Sequence, residues 1–158
     1  MVSLTRDGFP IIEAEAKVTY ELAQGATWHR FFEGLRQAKV LANRCPSCQR
    51  VLVPPRGFCP RCFVEMDEWV ELPQEGVLVG WCLTEMGYFG QPTEPPFVTG
   101  VVNLDGADCG FIHLVGGIDL SEEAAVRKAV RNGMRVKVIW NTEKRGCIMD
   151  IRHFTPMG

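Results

Sequence analysis

Several things are missing from this sequence, and each absence removes a class of function. No run of about 18 apolar residues occurs, so no transmembrane helix is expected. Met1 to Pro10 has neither an apolar h-region nor a small-residue cleavage site, so no export signal is expected either. There is no excess of either charge. Seventeen Lys and Arg face nineteen Asp and Glu, a net −2, which gives no electrostatic case for nucleic acid or an anionic membrane. Histidine is scarce, with only His29, His113 and His153. No internal repeat, low-complexity tract or Gly-rich phosphate fingerprint is present, and Gly116-Gly117 matches none of the known loops. What remains, in 158 residues with 46% apolar and 23% charged side chains, is one ordinary globular unit.

Cysteine is not scarce. Seven occur, four of them within 18 residues, while Cys82, Cys109 and Cys147 stand alone. In a chain without an export signal, clustered cysteines point to metal ligands rather than disulfides, and to a reducing cytoplasmic compartment. Residues 43–64 contain those four Cys with four Arg and four Pro but no acidic residue, and acidic residues return at Glu65, Asp67 and Glu68. This composition shift sets expected boundaries: an N-terminal extension and helix over 1–42, a metal module over 43–66 and a third unit over 67–158.

Residues 1–25 have a weak pattern and are read as an extension packing on the domain or on a partner. Residues 27–39 are expected to be helical, with Thr27 as N-cap and Trp28, Phe31, Phe32, Leu35 and Ala38 along one side. Gly34 weakens that helix by about 1 kcal/mol relative to Ala. The stripe either faces the core or, at Trp28 and Phe32, faces a partner.

From Trp69 onward the pattern is β. Strands are expected over 69–72, 76–86, 97–104, 109–115, 135–141 and 147–154. A short helix interrupts them, capped by Ser121, with Glu122 and Glu123 in its first turn, Arg127, Lys128 and Arg131 toward its end, and Asn132-Gly133 closing it. Five or six short strands with one helix fit a small barrel closed at its edges, most naturally an OB-fold.

The strongest motif is Cys45-Pro46-Ser47-Cys48, ten residues, then Cys59-Pro60-Arg61-Cys62. Two Cys-x2-Cys knuckles facing each other make a closed four-sulfur site, which is structural because it leaves no position open for water or substrate. Val51-Leu52-Val53 can run out, Pro54-Pro55 can turn and Gly57-Phe58 can return. One zinc ion is the expected metal, stabilising a module too small for its own core. Rubredoxin-type iron is the alternative, but such knuckles usually carry Gly after the second Cys, where Gln49 and Phe63 stand here. Zinc with four thiolates carries −2 and would take the chain to about −4. Arg44, Arg50, Arg56 and Arg61 then balance charge or meet an anionic ligand or partner.

These residues resemble a known family. Phe32-Glu33-Gly34-Leu35, Arg44-Cys45-Pro46-x-Cys48, Pro54-Pro55-Arg56-x-x-Cys59-Pro60-x-Cys62, Gly133-x-Arg135-Val136-x-Val138 and Phe154-x-Pro156 are similar to the acyl-CoA-associated proteins of domain-of-unknown-function family 35. Trp69 with Gly76, Pro95-Pro96-Phe97 and Asn103-Leu104-Asp105-Gly106 fit the same pattern, so the resemblance spans roughly 26–156. It implies an N-terminal helical segment, a rubredoxin-like zinc ribbon and a C-terminal OB-fold. It also implies a non-catalytic partner subunit of a thiolase-fold enzyme acting on acyl-CoA, able to help hold the CoA thioester.

For CoA contact the aromatic, Pro-rich loop with Tyr88, Phe89 and Phe97 is one candidate, and the basic group Arg127, Lys128, Arg131, Arg135 and Lys137 is another. Each is equally readable as rim packing or solvated surface. No catalytic residue is proposed within the chain. Cys82, Cys109 and Cys147 are expected as small core residues, and His113 as either a solvent-facing or a satisfied core residue. The alternatives to the subunit reading are a zinc-ribbon and OB-fold binder of single-stranded nucleic acid, and an iron electron-transfer module.

Overall fold

The structure, a computed structural model, describes residues 5–11 and 18–157. The expected N-terminal extension therefore lies partly outside the described residues.

Helix α1 spans Gly25–Arg36, two residues earlier than expected. Gln24 occupies its N-cap without a side-chain bond, so Thr27 lies in the first turn instead. The helix stops early because Ala38 turns left-handed at φ 58°, and the Lys39 N–H closes back on the Gly34 carbonyl at 2.9 Å. Phe31 and Leu35 are buried. Gly34, the residue that weakened the helix on paper, is there for close approach: a Cβ would stand 2.7 Å from Leu41 Cδ1 on the next strand.

Strands β1 (Val40–Arg44), β2 (Val51–Leu52) and β3 (Glu68–Leu72) form an antiparallel sheet in the order β2-β1-β3. Val51 and Leu52 thus pair with Arg44 and Asn43, not with a returning Gly57-Phe58 strand. Phe58 bridges Glu65 instead, so each cysteine knuckle caps its own short hairpin.

Strands β4 (Glu75–Thr84), β5 (Phe97–Leu104), β6 (Gly110–Val115), β7 (Arg135–Trp140) and β8 (Ile151–Pro156) close into a five-stranded barrel in the order β4-β5-β6-β8-β7. Helix α2 (Glu123–Ala129) lies between β6 and β7. The chain is mainly β, with an OB-like closed barrel, as the strand pattern predicted. The cap of α2 is Glu122 rather than Ser121, whose N–H is taken by Asp119 at 2.9 Å.

Two local expectations fail for identifiable reasons. The last strand begins at Ile151, not at 147, because Ile148–Asp150 forms a 3-10 turn. The Asp150 carboxylate accepts the N–H groups of Arg145, Gly146 and Cys147 at 2.8, 2.7 and 3.3 Å and holds that turn shut. Burial pushes its carboxyl up, but these N–H donors and the Cys147 thiol outweigh burial and bring it below the usual range. Cys82, expected in the core, is exposed. The β4–β5 register shifts between Leu78 and Gly80, which flips the alternation: Leu78 is buried before the bulge, Trp81 and Leu83 pack inward after it, and Cys82 faces out.

One apolar core joins α1, the sheet and the barrel, and a smaller cluster of Cys45, Leu52, Cys59 and Met66 lies within the cysteine module. Phe31 and Leu35 of α1, Val40 and Ala42 of β1, Val51 and Val53, and Leu72 join Leu78, Val102, Phe111 and Phe154 of the barrel. The sheet and the barrel are also bolted together by Asp108 and Cys109. The Val51 N–H donates to Asp108 Oδ2 at 2.8 Å, and the Asp108 N–H returns to the Val51 carbonyl at 2.8 Å. Cys109, partly buried against the core as expected, donates its thiol to the Val53 carbonyl and accepts the Val53 N–H, both at 3.2 Å.

Candidate metal centre and the surfaces around it

The four knuckle cysteines converge. Their sulfurs all lie within 4.8 Å of one another, and no other such group of ligands occurs among the described residues. Zinc ligands about 2.3 Å from the metal stand about 3.8 Å apart at tetrahedral corners. Cys48 Sγ and Cys59 Sγ are 3.8 Å apart. The donor set, four thiols within 4.8 Å of one another with two of them fully buried, fits one zinc ion in a closed site. Cys45, Cys48, Cys59 and Cys62 would hold it, and the chemistry it supplies is structural.

The two knuckles are built alike. In the first, the Cys45 N–H bonds to the Arg50 carbonyl and the Gln49 N–H to the Cys45 carbonyl, both at 2.9 Å. In the second, Cys59 to Val64 and Phe63 to Cys59 repeat this at 2.8 Å. Gln49 and Phe63 adopt φ of 61° and 56°, the left-handed conformation glycine would take there. The missing glycines therefore do not argue against rubredoxin-type geometry at either knuckle. Burial raises the Cys59 thiol, but the N–H groups of Cys62 and Arg61 and the thiols of Cys45 and Cys48 bring it down to about 7. A lowered thiol pKa suits a group that must bind as thiolate.

Asn43, which the sequence reading passed over, braces this module. It is fully buried. Its Nδ2 donates to the Met66 carbonyl at 3.1 Å and to the Arg56 carbonyl, and its Oδ1 accepts the Arg56 N–H at 3.2 Å. One side chain thus ties β1 to both ends of the second knuckle. Its only sequence signal is a polar residue next to the first motif, Arg44-Cys45. Of the module's arginines, Arg44 pairs with Glu68 at 3.1 Å and Arg50 donates to the Asp108 carbonyl at 2.9 Å.

Beside the module, Trp28 stacks edge-on against Phe32 at 5.5 Å but leaves half its surface in water. It borders a cleft of about 320 Å³ with Pro54, Pro55, Gly57 and Phe58. Phe58 and Phe63 are exposed as well. The helix stripe is therefore divided: Phe31 and Leu35 enter the core, Phe32 packs partly against it and Trp28 faces out.

The residues considered for CoA contact do not form one shelf. Phe97 is buried at the start of β5, Phe89 is fully exposed, and Tyr88 lies 6.3 Å from the Phe97 ring at the edge of another cleft. The basic group is partly neutralised. Arg135 is clamped by Asp105 through two bonds of 2.7 Å and by Glu75 at 3.1 Å, and Arg127 pairs with Glu123 at 2.6 Å. The Arg135 guanidinium holds the Asp105 carboxyl below its usual range. Among the described residues no hydrogen bond joins a cysteine to a histidine. Cys82 bonds the Leu83 carbonyl, Cys109 bonds Val53 and Cys147 bonds Asp150.

A closed four-cysteine ribbon fused through a shared core to a five-stranded barrel defines the class: a zinc ribbon with an OB-fold. Residues 32–67 match the ChsH2 rubredoxin-like zinc ribbon domain, and residues 69–141 match the ChsH2 C-terminal OB-fold domain. The chain belongs to this ChsH2-like family, which carries the designation DUF35. Two solved structures share the fold. One is a protein of unknown function from the DUF35 family of Sulfolobus solfataricus, 23% identical over 73% of this chain and 78% of that one, with a TM-score of 0.56. The other is an Ltp2–ChsH2(DUF35) aldolase, 22% identical over 80% of this chain and 91% of that one, with a TM-score of 0.60. No curated protein matches the sequence. Among the described residues, no helix is long and apolar enough to cross a membrane.

Proposed function

We propose that this chain is a non-catalytic, zinc-binding subunit that scaffolds a thiolase-fold catalytic chain acting on acyl-CoA thioesters in the cytoplasm. The observation that carries the reading is the family's pairing of zinc ribbon and OB-fold, seen in a two-component assembly in the Ltp2–ChsH2(DUF35) aldolase. The surface around the ribbon supports it. Trp28, Phe58 and Phe63 expose aromatic area beside Pro54 and Pro55. Phe63 does so at positive φ, a conformation that costs a bulky residue about 1–2 kcal/mol, so its ring in water gives the isolated fold nothing. Aromatic anchors of this kind suit the centre of a protein interface. Cys45, Cys48, Cys59 and Cys62 would keep the ribbon rigid, and the shared core and the Asp108–Cys109 bolt would transmit that rigidity to the barrel. Help in holding CoA, through Tyr88 and the exposed Phe89, is the finer part of the same proposal, and the buried Phe97 would act only from behind them.

The experiment is purification of the tagged chain from its host, with mass spectrometry and metal analysis, followed by reconstitution. A near-stoichiometric thiolase-fold partner, one zinc per chain, and acyl-CoA turnover only when both chains are present are expected. The 2-benzoylsuccinyl-CoA thiolase reaction, one candidate within the family, is the first activity to assay. Zinc without any thiolase-fold partner, or turnover by the partner alone at the full rate, would refute the scaffold role.

A further inference from the structure

One face of the barrel breaks the alternation that separates core from water. On β7 the outward positions are Arg135 and Lys137, and the inward ones are the buried Val136 and Val138. That is the pattern of a sheet with one side in water. From Val77 to Cys82 on β4, and across β5 and β6, the outward positions carry no charge. The strand register lines up Gly80, Val101 and Ile112 in one row and Cys82, Thr99 and Leu114 in the next. A third row, Val77, Asn103 and Gly110, is uncharged as well. The alternate positions, among them Leu78, Val98, Val102 and Phe111, fill the core. Strands apolar on both sides are the pattern of a sheet covered on both sides. Yet Ile112 is 65% exposed, and Val79 in the bulge and Cys82 are exposed too. The charges at the Val77 end, Arg135 with Glu75 and Asp105, are paired with one another.

The face also has a definite shape. A Cβ built on Gly80 meets no atom within 4 Å beyond its chain neighbours. The row therefore runs from a hollow at Gly80, through Val101, to a knob at Ile112. A two-fold axis laid parallel to β5 above Val101 brings each row onto the same row of a second copy, reversed. Ile112 of each copy then sits over Gly80 of the other, and Leu114 sits over Cys82. Large meets small in both directions, as an isologous contact requires. We propose that this face is where a second copy of the chain docks, barrel against barrel. Charge favours the same occupant: the chain carries a net −2, and two like-charged copies meet with least repulsion through a neutral patch. Three strands about 4.8 Å apart and three rows about 6.8 Å apart cover roughly 300 Å² of sheet. The relief of the side chains, with Val79 and Ile148 at the rim, brings this to roughly 500 Å² per copy, so a pair buries about 1,000 Å², the lower end for a specific contact. The dimer is therefore weak and concentration-dependent. This inference stands apart from the catalytic-partner reading, which uses the aromatic surface beside the ribbon, and either can fail alone.

The test is analytical ultracentrifugation of the full zinc-loaded chain from about 1 μM to about 1 mM, with thiol labelling of Cys82 over the same range. The mass is expected to rise from one chain toward two, and labelling to slow as it does. Gly80→Val fills the hollow without touching the core, so its melting temperature should hold or rise while self-association weakens at least about tenfold. Ile112→Ala removes the knob and weakens association as well. The double variant puts a valine over an alanine, and should associate more tightly than either single one. A chain that stays monomeric throughout overturns the proposal. So does a doubled mass with Cys82 labelling unchanged, or Gly80→Val associating like wild type. A double variant no tighter than the singles overturns the two-fold pairing, and if a variant does not fold, the wild-type mass and labelling decide.

Discussion

Removing the Asn43 side chain is the sharpest test of how the metal module is held. In Asn43→Ala the three bonds to the Arg56 carbonyl, the Arg56 N–H and the Met66 carbonyl vanish together. Each bond contributes about 1 kcal/mol net, and each backbone group stranded in a dry site costs about 1–3 kcal/mol unless water enters. With partial relaxation the sum is about 3–5 kcal/mol, a large part of the ~5–15 kcal/mol that holds a domain together. The groups lost flank the second knuckle, so the damage falls on metal binding, since zinc affinity and ribbon folding are one equilibrium. A loss of about 3 kcal/mol corresponds to about a hundredfold weaker zinc binding. Competition against a chromophoric chelator at fixed pH reads this directly, and a denaturant melt of the zinc-loaded chain reads the stability. Asn43→Asp keeps an acceptor for the Arg56 N–H but cannot donate to either carbonyl, so it is expected to be as damaging as Ala. Zinc affinity within about threefold of wild type in both variants, with an unchanged melt, would refute the bracing role.

Other outcomes are expected from the same structure. Cys59→Ser removes a buried ligand and should lower zinc content well below one per chain and unfold the ribbon, checked by metal analysis and circular dichroism. In the zinc-loaded wild type, a thiol-reactive dye should find one fast cysteine, the exposed Cys82, and a chelator should release four more. Gly34→Ala gains about 1 kcal/mol of helix propensity but drives a Cβ into Leu41, for which overpacking costs about 1–3 kcal/mol, so a melt should show net destabilisation by about 1 kcal/mol. Stability should also fall in acid in a defined order. His113 has a folded pKa below its unfolded 6.5, so its contribution is complete above about 6.5 and is lost as pH falls below it, where the unfolded chain takes up the proton. Asp150, depressed below 3.8, adds stability above that value and loses it at still lower pH. Because zinc loss acts in the same direction, the readout is the difference between wild type and His113→Phe in melting temperature between about pH 6.5 and 5. No difference there would refute the buried neutral ring.

The ligand set was legible in the sequence because Cys-x2-Cys is a local instruction. Two sulfurs three residues apart are placed by one turn, and only the meeting of the two turns is left to the fold. The β-rich half was legible for the same reason, since alternation and turn residues act over five to ten positions. Everything that failed depended on residues far apart in the chain. The bulge after Leu78 is set by pairing with β5, and it alone sends Cys82 outward. Phe97, a candidate for CoA contact on paper, is drawn under by the barrel. Gly34 looked like a flaw in a helix until Leu41 was beside it. Ile148 and Met149 looked like strand until the Asp150 carboxylate gathered three N–H groups and turned them.

Local spacing and alternation were thus enough for the four clustered cysteines, the order of helix, ribbon and barrel, and the family. Tertiary structure alone decided which face each residue shows, that Asn43 is a brace and that His113 is buried. Backbone propensity and ligand spacing are properties of neighbours in the chain, whereas burial and hydrogen-bond satisfaction are properties of neighbours in space.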